Sequence, residues 1–246
     1  MKNLHIQTLA VHGAENEDNF TDVIQPIHLS TTFSRNTDGT TGEYIYTRAN
    51  NPNRLAVEQK MAALEGAETA IAFSSGMAAS NALFENILEP GCHMILPDDC
   101  YHGTRHLLDV FFRRWNVRYD IADLSDLAKV EKLIQKDTRL IWIETPSNPQ
   151  LKITDIKATV TLAKKYNIIT VSDNTFATAL LQQSLQMNVD YVMYSSTKFF
   201  SGHSDILGGV IMTNRNDELS KRIRDYQQTA GAVPAPFDCW LLNRSL

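Results

Sequence analysis

Short apolar runs alternate with longer segments of helical periodicity over most of this chain. Runs such as TAIAF (69–73) and RLIWIE (139–144) are short enough for strands and apolar throughout. The other predicted strands lie at 93–97, 117–121, 168–172, 190–195 and 207–213. Helical spacing falls between them, at 55–64, 77–87, 103–114, 125–135, 153–166 and 217–228. This alternation predicts βαβ units, hence an α/β fold with a mostly parallel sheet and helices on both faces.

The two ends of the chain depart from this pattern. Residues 1–54 are rich in Thr, Asn, Asp and Gly, and they predict an N-terminal arm or subdomain that packs on another surface, followed by a large domain over 55–246. The last stretch, PFDCWLLNRSL, has helical spacing and is still apolar where it stops. We therefore expect that the fold lacks a partner element that would lie beyond Leu246.

Composition narrows the functional classes. The chain has 246 residues, of which 43% are hydrophobic, and a net charge of -5, which argues against general binding to nucleic acid or anionic membrane. No apolar run is long enough for a membrane helix, and the first residues do not resemble a signal peptide. Three cysteines without a CxxC pair fit a reducing compartment. We expect a cytoplasmic protein with neither nucleic-acid nor membrane partners.

The most informative segment is YSSTKFFSGHSDILGG (194–209), which follows a predicted strand. The amine of Lys198 can form an imine with an aldehyde, and the hydroxyls around it, on Ser195 and Thr197, can donate to a phosphate. The glycines let the backbone approach a bulky ligand. The alternative is a polar surface loop, which the following SGHSDILGG makes less attractive.

A second segment, SDNTFAT (172–178), places Asp173 at the carboxyl end of a predicted strand. Open α/β sheets bind their ligands at that end. A carboxylate there can keep a pyridinium nitrogen protonated, so that the ring attracts electrons. The alternative is an aspartate that caps a turn.

Three weaker signals accompany these two. In SSGMAAS (74–80), Gly76 permits a tight turn before a helix whose N-terminus can bind an anion. Tyr46 and Arg48 in YIYTRANNPN can both reach a phosphate, and Tyr101 follows a strand where it can stack on a planar cofactor. Taken singly, SSGMAAS is typical of many ordinary turns and YIYTRANNPN of a polar loop, and Tyr101 fits a half-buried tyrosine equally well.

Together and in this order, the segments resemble the Cys/Met-metabolism family of pyridoxal 5'-phosphate (PLP) enzymes, the trans-sulfuration enzymes, from about residue 5 to Leu246. The resemblance implies a fold type I, aspartate aminotransferase-like large domain. It also implies PLP as cofactor, a small amino-acid substrate, and a homotetramer built as a dimer of dimers.

By motif match, the resemblance implies roles for individual residues. Lys198 would be the Schiff-base lysine, Asp173 would pair with the pyridine nitrogen, and Tyr101 would stack on the ring. The remaining cofactor-binding residues would be Ser75, Gly76, Met77, Ser195 and Thr197 at the phosphate, Asn148 and Thr175 beside the ring, and Tyr46 and Arg48 contributed by a neighbouring subunit. The arm would then pack on that subunit.

The chain departs from the family pattern in a few places. Ala179 replaces a usual proline, Tyr194 replaces a frequent histidine, and Gly103 stands where methionine γ-lyases have a cysteine. The family also continues into a smaller C-terminal domain that supplies the arginine for the substrate carboxylate. We expect this domain to be absent here.

The resemblance implies β/γ-elimination or γ-replacement on sulfur amino acids or homoserine esters, of the cystathionine γ-synthase or cystathionine γ/β-lyase type. The alternatives are an O-acyl-homoserine sulfhydrylase, a methionine γ-lyase, or a truncated PLP-binding remnant without activity. A zinc site at His102 and His106, with Cys100 and Asp109 nearby, has suitable spacing. Without an HExxH motif or paired CxxC motifs, we interpret this segment as a solvated helix face and expect no metal.

Overall fold

A computed structural model describes residues 4–12 and 22–246 of the chain. Its helices are α1 (Ile6–His12), α2 (Pro52–Glu65), α3 (Gly76–Ile87), α4 (His102–Phe111), α5 (Leu127–Leu133), α6 (Ile156–Lys165), α7 (Thr178–Leu181), α8 (Glu218–Ala230) and α9 (Pro236–Ser245). Its strands are β1 (Thr69–Phe73), β2 (His93–Pro97), β3 (Arg118–Ala122), β4 (Thr138–Glu144), β5 (Ile169–Asp173), β6 (Tyr191–Tyr194) and β7 (Gly209–Thr213). No helix in these ranges is long and apolar enough to cross a membrane.

The strands form one sheet in the order β1-β7-β6-β5-β4-β2-β3. Neighbouring strands are parallel except at β7, which runs antiparallel to both β1 and β6. The carboxyl ends of the other six strands therefore share one edge of the sheet, and β7 begins at that same edge. Gly76, Tyr101, Asn148, Asp173 and Lys198 lie in, or directly beside, the loops that leave the sheet at this edge.

Both faces of the sheet are covered, and this explains the apolar strand sequences. Along β4, Leu140 and Trp142 pack into a cluster with α3 and α4, whereas Ile141 and Ile143 face the opposite side and pack against α6. A third cluster joins α2 and α9 to β6 and β7. Strands buried on both faces have no polar alternation. The predicted mostly parallel sheet with helices on both faces is confirmed.

Several helix and strand ends differ from the predictions. The predicted helix at 103–114 ends at Phe111, and a 3₁₀ turn follows it to Asn116, which adopts a left-handed backbone conformation. The strand predicted at 207–213 begins only at Gly209, because the preceding residue bonds to the lysine segment. Helix α2 starts at Pro52, where Asn51 caps it, so it begins inside the segment predicted as the arm.

Hydrogen bonds join the described part of the arm to the start of α2 and to the large domain. The backbone N–H of His28 donates to Asn53 Oδ1 at 2.8 Å, and Trp240 Nε1 donates to the carbonyl of Gln25 at 2.9 Å. Further along, apolar side chains such as Leu29 and Ile45 are exposed. That the arm packs on another subunit stays a prediction.

A buried polar network fastens the ends of three strands to α2. The hydroxyl of Tyr194 donates to the carboxylate of Glu65 and accepts from Asn174 Nδ2 at 2.7 Å. Gln182 Nε2 extends the network to Asn174 Oδ1 and to the carbonyl of Thr145, at 2.7 and 2.9 Å. Burial raises the pKa of Glu65 from 4.5 to about 7, although the hydrogen bond from Tyr194 acts in the opposite direction.

The raised pKa of Glu65 predicts a pH-dependent stability. The folded protein keeps a proton on Glu65 that the unfolded chain has released above about pH 4.5, so this stabilisation is lost as the pH rises through about 7. Between about pH 5.5 and about pH 8.5 the loss amounts to about 2 kcal/mol. Urea unfolding at both pH values measures it, and Glu65→Gln should remove that part of the pH dependence.

The control is Glu131→Gln, which removes a carboxylate paired with Lys165. The hydrogen bond from Lys165 lowers the pKa of Glu131, so Glu131 stays ionised over this pH range and should not contribute to the pH dependence. Equal pH dependence in the wild type and Glu65→Gln would contradict the assignment.

Candidate active site

The carboxyl edge of the sheet brings together most of the residues predicted from the motifs. Ser75 and Gly76 follow β1, Tyr101 follows β2, and Asp173 ends β5. The other predicted residues at this edge are Met77 in α3, Asn148 in the loop after β4, Thr175 after β5, and Ser195, Thr197 and Lys198 after β6.

The start of α3 lies in backbone contact with the segments on either side of it. A Cβ on Gly209 would lie 2.3 Å from the carbonyl oxygen of Ser75, and one on Gly76 would lie 2.8 Å from Ser195 Cβ. Ser75 Oγ accepts from Ala78 N at 3.0 Å and so caps the helix. The first-turn N–H groups of Gly76 and Met77 have no partner within the helix. They form an anion-binding end beside Ser195.

The lysine segment is held by hydrogen bonds on both sides. The backbone N–H of Ser195 donates to Thr175 Oγ1 at 2.8 Å, and that of Lys198 donates to the carbonyl of Ser195 at 3.1 Å. Thr197 Oγ1 accepts from the N–H of Gly208 at 3.0 Å. The Lys198 side chain is exposed, and its amine has no hydrogen-bond or ion-pair partner in the described part of the chain. The amine is therefore free to react while its backbone is fixed.

Asp173 is a buried acid at the end of β5. Its carboxylate accepts from the backbone N–H of Thr175 at 3.1 Å. Burial raises the pKa of Asp173, and the hydrogen bonds of Thr175 only partly offset it. A cation placed against the Asp173 carboxylate would offset the free-energy cost of burying its charge.

Sequence reasoning missed a second buried acid, Glu144, which ends β4 and pairs in register with Asp173. Its Oε2 accepts from the backbone N–H of Tyr101 at 2.8 Å. Burial raises the pKa of Glu144 to about 8, with the charge of Asp173 as the next cause. The available signal was a carboxylate that closes the otherwise apolar part of RLIWIE, directly before the loop with Asn148.

The ring of Tyr101 is 54% exposed and stands over the start of α4. A Cβ on Gly103 would lie 2.4 Å from Tyr101 Cε1 and 3.0 Å from Met77 Sδ. The ring occupies the space that a side chain at position 103 would need. Gly103 is therefore part of what sets the orientation of this ring.

Tyr46 and Arg48 are not joined to this edge within the described chain. The Arg48 guanidinium lies 5.6 Å from the Tyr46 ring centroid and donates to the carbonyl of Gln228 in α8. Both side chains are exposed, so a role at a neighbouring subunit's phosphate stays a prediction.

The rings of His102 and His106 stack on each other, with centroids 5.7 Å apart. Over residues 4–12 and 22–246, no three His, Cys, Asp or Glu side chains cluster as metal ligands would. His203 Nδ1 lies against the carbonyl of Ser201 in its own loop.

The residues present fit PLP. The amine of Lys198 can meet an aldehyde, the buried Asp173 can meet a ring nitrogen that carries a proton, and the free N–H groups at α3 can meet a phosphate. An exposed aromatic ring stands nearby for stacking. A site with these four features on an α/β sheet defines the PLP-dependent enzymes of fold type I.

The chain belongs to the Cys/Met metabolism PLP-dependent enzyme family, whose model matches residues 7–246. It is 44% identical over 243 residues to cystathionine gamma-synthase of Mycobacterium leprae, and 38% identical over 247 residues to cystathionine beta-lyase of Coxiella burnetii. These alignments cover 98% and 100% of this chain but 62% and 64% of the relatives. The chain thus spans less than two thirds of their length.

Solved structures agree with this assignment. The structure of metB from Corynebacterium glutamicum superposes with a TM-score of 0.95 at 42% identity, covering 99% of this chain and 64% of that one. Cystathionine gamma-lyase from Lactobacillus plantarum, complexed with L-serine, gives 0.93 at 37% identity, covering 98% and 63%. The predicted family and fold type I architecture are confirmed.

The position of Gly103 predicts a specific defect. Gly103→Ala should displace the Tyr101 ring and weaken PLP binding by about 10-fold, the loss of roughly one stacking contact. The backbone of Gly103 is not in the left-handed region, so alanine brings no backbone strain there and the crowding acts on the Tyr101 ring. Titration of the visible absorption of bound PLP measures the affinity.

Gly42→Ala is the matched control, since a Cβ there meets nothing within 4 Å. If Gly103→Ala bound PLP as tightly as Gly42→Ala, the crowding argument would be wrong.

Proposed function

We propose that this chain holds PLP at the carboxyl edge of its sheet and serves in elimination or replacement at the β or γ carbon of cystathionine or a homoserine ester. The observation that carries the proposal is the convergence of an unpaired lysine amine, a buried acid and a free helix N-terminus at one edge. We further propose residues 1–54 as the arm and residues 55–246 as the cofactor domain.

Each residue at the edge has a distinct task in this proposal. PLP, when bound, supplies an aldehyde and an electron-attracting ring. Lys198 anchors the aldehyde through its amine. The freed amine then takes the proton from Cα of the substrate and can deliver it to Cβ of the substrate or to C4′ of the cofactor. Asp173 keeps the ring nitrogen protonated through an ion pair. Tyr101 covers one face of the ring and excludes water from it.

The phosphate would lie between α3 and the lysine segment. The N–H groups of Gly76 and Met77 and the hydroxyls of Ser195 and Thr197 would donate to it. Asn148 and Thr175 would border the ring. Thr175 is already fixed by the bond from Ser195 N, which couples the ring's border to the phosphate side.

Tyr46 and Arg48 would complete the phosphate site of a neighbouring subunit. Their exposure and the exposed apolar side chains of the arm, such as Leu29, support a second copy of the chain as the partner. We propose a homotetramer assembled as a dimer of dimers, acting on a small amino-acid substrate.

The type of reaction is proposed from the named relatives and from Gly103. The relatives at 38–44% identity are named as gamma-synthases and beta-lyases. Position 103 holds glycine where methionine γ-lyases have a cysteine, which disfavours a methionine γ-lyase site. We therefore favour cystathionine or a homoserine ester as the substrate over methionine.

Lys198→Ala should abolish the visible band that PLP gives with the wild type, because the amine that anchors the aldehyde is lost. Lys157→Ala, which removes an exposed amine on α6, should keep the band. Absorption spectra of the purified proteins with added PLP make the comparison. A band retained in Lys198→Ala would contradict the assigned role.

The activity itself is tested by thiol and keto-acid release from cystathionine, and by cystathionine formation from an O-acyl-homoserine with cysteine. The proposal expects one of these products, with a loss of at least ~100-fold in Asp173→Asn, because the ring nitrogen then loses its ion pair. PLP binding without any turnover would favour a cofactor-binding remnant over an enzyme.

A further inference from the structure

Two buried acids at the carboxyl edge are not used by the proposed function. Glu144 ends β4, and Asp99 lies in the loop that follows β2. Their side chains are 8% and 7% exposed. Buried carboxylates are costly unless other groups use their oxygens, so the partners of these two acids are informative.

The two acids bridge the same pair of loops in opposite directions. Glu144 Oε2 accepts from the backbone N–H of Tyr101, at 2.8 Å, and the carboxylate also accepts from that of Asn148. Asp99 Oδ2 accepts from Ser147 Oγ at 2.6 Å and from the backbone N–H of Gln150 at 3.1 Å. Each acid thus accepts a hydrogen bond from the loop that follows the other acid's strand. We call this pair of acids the loop clasp.

The loop clasp has a fixed relation to Asp173. Glu144 and Asp173 are register partners on adjacent parallel strands, so their side chains lie on the same face of the sheet. The backbone N–H of Tyr101 donates to Glu144, and Tyr101 stands two residues after Asp99, the other acid of the loop clasp, with Cys100 between them. Glu144 therefore pairs in the sheet with Asp173 on one side and holds the backbone of Tyr101 on the other. Tyr101 is the residue whose ring would cover the cofactor.

We infer that Glu144 is a positioning residue of the cofactor site, which fixes the backbone of Tyr101 so that its ring stands over the pyridine ring held by Asp173. Asp99 supports it by fixing the loop after β4 from the opposite side. The inference rests on the proposed function, because it needs PLP at this edge.

The charge of the site agrees with a neutral Glu144. Burial and the charge of Asp173 raise its pKa to about 8, and Asp99 and Cys100 also face it, with Arg105 of α4 beside Cys100. A neutral Glu144 still accepts the two N–H bonds. It leaves Asp173 to carry the negative charge that a protonated ring nitrogen requires. Glutamine at position 144 reproduces this neutral, accepting state.

The experiment compares Glu144→Gln with Glu144→Leu in the whole protein. Glutamine keeps the acceptor, so PLP affinity should stay within about 3-fold of the wild type and the visible circular dichroism of bound PLP should persist. Leucine removes the acceptor and should weaken PLP binding by about 10-fold or more, with loss of that dichroism at saturating PLP. The dichroism reports the asymmetry around the ring, which a purely structural role would leave unchanged.

Glu58→Leu is the matched control, since it removes a buried acid that binds Arg224 and Ala72 N instead of Tyr101. It should lower stability without changing the dichroism of bound PLP. If Glu144→Leu does not fold, Ser147→Ala takes its place: it removes one bond of the loop clasp and should reduce the dichroism by a smaller amount.

Three results would overturn the inference. Equal PLP affinity and dichroism in Glu144→Gln and Glu144→Leu would show that the acceptor is not needed, and an unchanged signal in Ser147→Ala would do the same for the loop clasp. If the wild-type protein gave no visible PLP band, both the proposed function and this inference would be contradicted. A normal wild-type band with unaffected variants would contradict the inference alone.

Discussion

The backbone of Gly209 approaches the carbonyl of Ser75 so closely that a Cβ would lie 2.3 Å from its oxygen. This contact follows from the sheet order, in which β7 runs antiparallel between β1 and β6 and begins where both of them end. The loops after β1 and β6 can meet across β7 only if its first residue has no side chain. Gly76 repeats this requirement against Ser195. The helix N-terminus and the lysine segment face each other because of these two glycines.

Buried acids are the second constraint on the same edge. Burial raises the pKa of Glu65, Glu144 and Asp173. Glu65 and Glu144 use their oxygens to hold backbone or hydroxyl donors, which ties strand ends and loops together. Asp173 accepts from Thr175, and in the proposed function it would face a protonated ring nitrogen. Binding of such a cation would stabilise the folded protein as well as fill the site, because it pairs a charge that is otherwise buried.

Much of the fold was predictable from the sequence, since strands buried on both faces appear as short apolar runs between longer segments of helical periodicity. TAIAF and HMILP match β1 and β2 residue for residue. Boundaries at loops were less accurate: β7 starts at Gly209 because Gly208 bonds to Thr197, a contact across the fold that local sequence does not encode. The antiparallel direction of β7 is likewise a property of the tertiary arrangement.

The same distinction holds for the site. Lys198, Asp173 and Gly76 lie in short motifs next to strand ends, so sequence could place them at one edge. Glu144 and Asp99 accept hydrogen bonds from residues more than forty positions away in the sequence. Those contacts depend on the register of β2, β4 and β5. A single acid at the end of an apolar strand carries no sign of those partners. The role proposed for Tyr46 and Arg48 depends on a neighbouring subunit, so neither the sequence nor a single chain can test it.

The central claim is that Lys198 forms the covalent attachment to PLP. Borohydride reduction of the protein with PLP, followed by peptide mass spectrometry, tests it directly, because reduction makes the attachment permanent. The account predicts a pyridoxyl-phosphate adduct on the peptide that contains Lys198, in about one copy per chain. An adduct spread over exposed lysines such as Lys157, or none on Lys198, would contradict it.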